Sequence, residues 1–358
     1  MIAKKCFSDT WILAKSKELK TGDPGLLAKA VHALALLGHL SESGLEFVFK
    51  GGTSMLLHVP AIRRLSIDID ILCATPAEEL DRILAEVAKK LPFIGYEEDD
   101  RGVRGLPNRR HFKFLYQSGA STDHVLLDVV EEARVPHDQI SKPIALPFLE
   151  IESEINVKLP TVESLLADKL TAFAPKTTGV PLYPANGRPA DTMQIVKQLF
   201  DVGELFSLAE DLTAVRRVYG EVFELENEYR GGSFTIQEVL NDTLDAALCL
   251  CAHRLKGVAD HPDALHLEEG IRRINSHLVN YRFNLNDAKV AAAKTALLAK
   301  LIIGDSGSSL LPYRTIPELE SLRSLIIEGD WKRLNRLKAT IPEAFYYWHH
   351  ASIIIRRV

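Results

Sequence analysis

The spacing of apolar positions changes character near the middle of the chain. LLAKAVHALALLGHL (26–40) repeats apolar residues three and four apart and predicts a helix ending near Gly44. The apolar run EFVFK then leads into Gly51-Gly52; after it TSMLLHV predicts a short helix stopped by Pro60, and LSIDIDILC alternates with period two, as a strand does. PAEELDRILAEVAKKL (76–91) is helical again, with Pro76 in the first turn, where its missing N–H costs nothing. RHFKFLYQ and HVLLDVVEE, joined by the polar loop SGASTD, predict an antiparallel hairpin. From Thr161 onward the apolar spacing is helical almost to the end: VESLLADKLTAF, DTMQIVKQLFDVGELF, NDTLDAALCLCAHRL, LEEGIRRINSHLVNY and NDAKVAAAKTALLAKLII, the last stopped by Gly304. A Pro- and Gly-rich loop, APKTTGVPLYPANGRPA, separates the first two.

This pattern predicts an α+β protein: a mixed-sheet domain with N-terminal helices over residues 1–155, then a helical domain over 156–358. No internal repeat or low-complexity segment interrupts it. The 358 residues, 46% hydrophobic and 25% charged, are ample for two cores. A formal charge of -5 excludes a surface that coats itself with nucleic acid by bulk positive charge, so any polyanion contact is local. Four cysteines make no disulfide framework for this length, and no run reaches the roughly 18 apolar residues of a membrane span. A soluble, cytoplasmic protein is expected.

Candidate chemistry lies in KGGTSMLLHVPAIRRLSIDIDIL (50–72). On a strand, Ser66, Asp68 and Asp70 share one face while Ile67, Ile69 and Ile71 share the other. Two carboxylates about 7 Å apart at their Cα atoms repel unless a cation lies between them, and magnesium takes one or two carboxylates together with phosphate oxygens and water. In HVLLDVV, Asp128 stands between Leu127 and Val129 and offers a third acid, completing a frame for two metal ions. Gly51 and Gly52 permit close backbone approach, the amides of Gly52, Thr53 and Ser54 open a short helix fit to cradle phosphate, and Thr53 or Ser54 can add a hydroxyl. Arg63 and Arg64 are placed to meet remaining phosphate charge. Each feature alone also fits an ordinary half-exposed strand and turn; their order within 21 residues is what points to a site.

FKGGTSMLL followed by RRLSIDIDIL resembles the nucleotidyltransferase superfamily and, within it, the AbiEii/AbiGii family of type IV-like toxin–antitoxin systems. Two later blocks extend the resemblance over about residues 45 to 205: ESLLADKL, carrying Lys169, and KQLFD, carrying Asp201. Lys197-Gln198 departs from the Arg-Asp pair of many relatives and follows a long insertion, 174 to 190, which leaves the part of Lys197 open. The resemblance implies a nucleotidyltransferase fold whose helical domain completes the active site. It implies transfer of NMP from an NTP to an acceptor hydroxyl, with release of pyrophosphate. Asp68 and Asp70 would bind metal with Asp128, two Mg2+ ions in all. Gly51, Gly52, Thr53, Arg64, Ser66 and Lys169 would hold the nucleotide, and Asp201 would assist the acceptor or orient Lys169. The implied partners are a tRNA 3′ end and a cognate antitoxin acting directly or through modification. Phosphorylation of Ser66 would block triphosphate entry. A small-molecule, antibiotic-type transferase and a non-catalytic nucleotide-binding member of the fold are the alternatives.

Fainter signals carry competing readings. Arg101, Arg104, Arg109, Arg110 and Lys113 can steer a nucleotide or RNA end, or can neutralise the acids at Glu97 to Asp100. Lys197 and Asp201 have the spacing of a surface helix pair, and Lys169 that of a solvated helix residue. Cys249, Cys251 and His253 lack zinc spacing and fit a packed helix better. FYYWHHASIIIRRV offers stacking groups and two arginines for a base, or core packing with a basic end.

Overall fold

The computed structural model describes residues 1–99, 107–184, 187, 189–304, 310, 313 and 320–354. It divides into two compact units, Met1–Thr161 with Ser276–Tyr281, and Val162–Asn275 with Arg282–Val358.

The first unit is built on a mixed five-stranded sheet in the order β1 (Val48–Lys50), β2 (Ile69–Leu72), β5 (Ser121–Glu131), β4 (Asn108–Ser118) and β3 (Phe93–Glu98). β2 runs parallel to β5, and the other neighbours are antiparallel. The hairpin closes in register from Asn108↔Glu131 to Ser118↔Ser121, with Gly119 at φ +58°, the left-handed region where a glycine is unstrained. One face carries Ile69, Ile71, Val125, Leu127, Val129, Phe112, Phe114 and Tyr116, all buried. Helices α2 (Pro24–Glu42) and α4 (Ala77–Val87) belong to the same core; His32 of α2 stacks on Tyr116 with ring centroids 3.6 Å apart. Each fully buried aliphatic side chain there contributes about 1.5–3 kcal/mol. The buried Ile69 and Ile71 therefore set which way Asp70 faces, and Leu127 and Val129 do so for Asp128.

Two further elements frame this unit: helix α1 (Asp9–Leu19), capped by Ser8, and the separate pair β6 (Gln139–Pro143) with β7 (Asn156–Pro160). β3 and β6 carry little of the period-two signal, since most of their side chains are at least partly exposed, and β7, which buries Val157 and Leu159, is only five residues long. The stretch LEEGIRRINSHLVNY does not run on as one helix. α9 (Pro262–Ile274) stops where Asn275 turns its side chain onto Ile271 O and Phe283 N, and Ser276–Tyr281 joins the first unit. There Leu65 N donates to His277 O and Val279 N to Arg63 O, at 2.8 and 2.9 Å.

The second unit is helical: α5 (Val162–Ala172), α6 (Thr192–Phe206), α7 (Leu212–Tyr229), α8 (Ile236–Ala252), α9, α10 (Leu285–Ile303) and a C-terminal helix, Pro342–Ile353. α8 and α10 each start with a capping box, Thr235 with Glu238 and Asn284 with Asp287. α9 and α6 approach so closely at Gly270 that a methyl there would lie 2.3 Å from Thr192 O. Tyr346, Tyr347 and Trp348 are buried in this core, so the aromatic tail packs the fold and does not form a base-binding surface. Its two arginines, Arg356 and Arg357, lie outside the described residues.

Candidate active site

The site face of the sheet is organised by register. Lys50 is paired with Asp70, Asp70 with Asp128, and Asp128 with His111, so four charged or ionisable side chains form one row across β1, β2, β5 and β4. Directly opposed residues project to the same face. The isoleucines and valines beside them are sealed on the other face, leaving this row partly exposed, with Asp128 at 26% and His111 at 17%. His111 Nδ1 lies 2.7 Å from Asp128 Oδ1.

The diglycine turn closes against this row. β1 ends at Lys50 and the short helix α3 (Gly51–Ser54) follows directly, with Gly51 at φ +79°. A methyl on Gly51 would lie 1.9 Å from Asp70 Oδ2, and one on Gly52 would lie 2.7 Å from Arg64 Nη2 and 3.0 Å from Ser66 Oγ. Glycine is therefore favoured at Gly51 by its backbone conformation, and at both positions by the close approach of these side chains. The turn gathers Asp70, Arg64 and Ser66 about its two glycines. Arg64 is 7% exposed, its backbone held by an isolated antiparallel bridge to Leu278. Arg63 lies 5.1 Å over the Tyr281 ring.

Asp68 stands just before β2. β1 is too short to pair with it, and Thr53 Oγ1 donates to its carbonyl at 2.6 Å. The Ser54 hydroxyl donates to Gly51 O at 2.8 Å. Both hydroxyl protons are thus engaged within the turn, and the backbone amides at the start of α3 are further donors for a phosphate.

In the helical unit, Lys169 of α5 and Asp201 of α6 form an ion pair, Nζ to Oδ2 3.4 Å, with side chains 7% and 0% exposed. This overturns the readings of Asp201 as half of a surface pair and of Lys169 as a solvated residue. Buried charges are costly unless paired, so a helix that places a lysine among Leu165, Leu166 and Leu170 needs a partner such as Asp201.

Of the basic stretch, Arg110 is held by Glu98 and Asp81, both at 2.8 Å, and Lys113 by Asp99 at 3.1 Å, which favours neutralisation over steering for these two. Arg101 and Arg104 lie outside the described residues. The zinc reading of Cys249, Cys251 and His253 fails. Cys251 Sγ donates to Lys289 O, burial pushes its thiol up to about 12, and His253 sits between Asp260 and Glu268.

As the side chains stand, no three His, Cys, Asp or Glu among the described residues form a metal cage. The donor set still fits a hard divalent ion. Such an ion needs only one or two protein carboxylates when phosphate and water complete its shell, and Asp70 and Asp128 are neighbours at one register position. Lys50 and His111 were passed over in the sequence reading; Lys50 begins the K-G-G-T block, whereas only cross-strand register brings out His111.

A carboxylate row beside a glycine turn that grips its own acid is the arrangement of a nucleotidyltransferase, and comparison with known proteins agrees. The chain belongs to the AbiEii family, described as the nucleotidyl transferase AbiEii toxin of type IV toxin–antitoxin systems, whose model matches residues 35–296. No curated protein matches it. Among solved structures, it is similar to a candidate nucleotidyltransferase from H. pylori at 14% identity and TM-score 0.40, covering 78% of this chain and 95% of that one. It is also similar to JHP933 from Helicobacter pylori at 14% identity and TM-score 0.38, covering 76% and 91%. A third is an antigenic nucleotidyltransferase-like protein from Paracoccidioides brasiliensis, at 13% and 0.35, covering 57% and 90%. At these scores the structural likenesses carry no argument of their own. Family membership makes the chain a nucleotidyltransferase of the toxin–antitoxin class, with an NTP as substrate, a divalent metal as the family's cofactor and an antitoxin as counterpart. None of the helices in the described residues is long and apolar enough to cross a membrane.

Proposed function

We propose that this chain transfers NMP from an NTP to the 3′-terminal hydroxyl of tRNA, using Mg2+, and that Asp68, Asp70 and Asp128 hold the metal. The observation that carries this reading is the pairing of Asp70 with Asp128 on adjacent parallel strands, with Gly51 pressed against the Asp70 carboxylate. Magnesium bound there would neutralise the triphosphate and lower the pKa of the attacking hydroxyl.

The remaining contributions belong to the chain. The amides of Gly52 and Thr53 would bind the β- and γ-phosphates, as unpaired N–H groups at a helix start do. Arg64, packed on Gly52, and Lys169, oriented by Asp201, would offset phosphate charge. Ser66, also against Gly52, would lie beside the phosphates. Once the acceptor oxygen attacks the α-phosphorus, the bond to pyrophosphate breaks and its negative charge is met by these cations. Catalysis of this kind is mostly positioning and charge stabilisation. Arrest of growth, relieved by the antitoxin, would follow from blocked tRNA ends, and the cell interior is where such an acceptor is met.

The test is incubation with each α-labelled NTP and Mg2+, with total tRNA or with aminoglycosides as acceptor. Label on tRNA that is lost in Asp70→Asn is the expected result. Label on the drugs alone would replace the acceptor, and transfer that survives Asp70→Asn would remove the acid row from the chemistry.

A further inference from the structure

We propose that His111 is a positioning residue, whose Nδ1–H donates to Asp128 Oδ1 and sets the direction in which that carboxylate meets the divalent ion. This rests on the metal reading given above. A carboxylate can only accept, so at 2.7 Å the proton of this contact lies on Nδ1. The ring stands where the ladder puts it: His111 is the register partner of Asp128, its backbone is locked by the hairpin on one side, and its carbonyl receives Asp99 N on the other. The backbone thus leaves little freedom to the imidazole, and the imidazole leaves little to Asp128.

The neighbouring acid is oriented by other means. Asp70 has Gly51 pressed on Oδ2, a steric wall without Cβ. Asp128 has no such wall, since its parallel neighbour presents the Asp70 carboxylate itself and its antiparallel neighbour presents His111. Two adjacent anions tend to swing apart, and a hydrogen-bond donor on the outer side of the pair resists that. Elsewhere on this face the charged side chain of Lys113 is taken up by Asp99, while His111 Nδ1 stays within 2.7 Å of Asp128 Oδ1. Outer-shell donors of this kind typically change metal affinity about 10–100-fold when removed.

Mn2+ binding, followed by electron paramagnetic resonance with an NTP analogue uncleavable between the α- and β-phosphorus, tests this without turnover. The variants are His111→Ala, His111→Asn and Asp128→Ala, each checked for an unchanged melting curve. His111→Ala should weaken Mn2+ about 10–100-fold, Asp128→Ala should weaken it at least as much, and His111→Asn, whose amide can donate, should recover most of the loss. Wild-type affinity in His111→Ala, or equal losses in the Ala and Asn variants, would overturn the inference while leaving the metal reading intact, provided Asp128→Ala is impaired. An unimpaired Asp128→Ala would sink both. If His111→Ala unfolds, the pair His111→Asn and His111→Leu decides on the same criterion, donor against no donor.

Discussion

Two sets of acids in this protein live under opposite conditions. Asp70 and Asp128 sit in a partly exposed row, beside like charge, while Asp201 is fully buried and matched to Lys169. In the row, cost is met by solvent, by His111 and, on the proposed function, by metal and phosphate. In the helical unit it is met by one internal partner. An acid of the first kind can be neutralised with little effect on the fold, because water already supports it. An acid of the second kind cannot be removed alone, because its lysine would be left charged and dry.

The largest expected effect separates the two directly. Asp70→Asn should lower transfer about 1000-fold, since loss of a metal-holding carboxylate removes several kcal/mol of transition-state stabilisation. Its unfolding free energy should stay within about 1 kcal/mol of the parent. Labelled transfer and urea unfolding measure the two numbers, and a strongly destabilised Asp70→Asn would erase the distinction between the two sets.

The converse is expected of Asp201→Leu, which should cost about 3–5 kcal/mol of stability by orphaning Lys169. Adding Lys169→Met should return most of that stability, because an apolar pair of similar volume replaces the ion pair. Transfer should not return with it if Lys169 meets the triphosphate. A double variant that is both stable and active would reduce the pair to a packing device.

Gly51→Ala sharpens the comparison at closer range. The methyl would enter at 1.9 Å from Asp70 Oδ2, on a residue at φ +79°. Stability should fall by about 1–2 kcal/mol, and transfer should fall further, about 10–100-fold, since a displacement near 1 Å at the reacting groups has that scale. A loss of stability without a separate loss of transfer would mean that the turn holds the fold and not the acid.

These pairs differ in how far the sequence discloses them. The period-two run 67–71, and Asp128 set between Leu127 and Val129, reveal that Asp70 and Asp128 oppose an apolar face, because burial of one face is a local constraint. Gly51-Gly52 announces a close approach but not what approaches; Asp70, Arg64 and Ser66 emerge only from coordinates. His111 reads as one more residue of an alternating strand, since register between β4 and β5 is a non-local property. Asp201 resembles a surface residue because helical spacing cannot say how many neighbours cover a face. The return of Ser276–Tyr281 to the first unit, the exposed strands β3 and β6, and the five-residue β7 leave no periodic trace long enough to detect.

The smallest effect tests the contrast between sealed and open groups on the sheet itself. His111 lies on the open face, His32 under the sealed one, stacked on Tyr116 and 3% exposed. Burial lowers the His32 pKa from 6.5 to about 4, against the raising influence of its hydrogen bond to Ala28 O. The unfolded chain then binds this proton at a higher pH than the folded one does, so the group costs nothing above about 6.5, and stability is lost as pH falls through the interval down to about 4. One proton sets the limit, a slope no steeper than about 1.4 kcal/mol per pH unit. His32→Phe keeps the stack and removes the titration. Its urea-unfolding free energy, measured from pH 7 to pH 4 beside the parent, should therefore decline less steeply in that window, with the difference between the two curves closing above about 6.5 up to a constant offset. Parallel curves across the whole range would mean that the imidazole under the sheet is wet enough to charge in place, and that the sealed face is not sealed at α2.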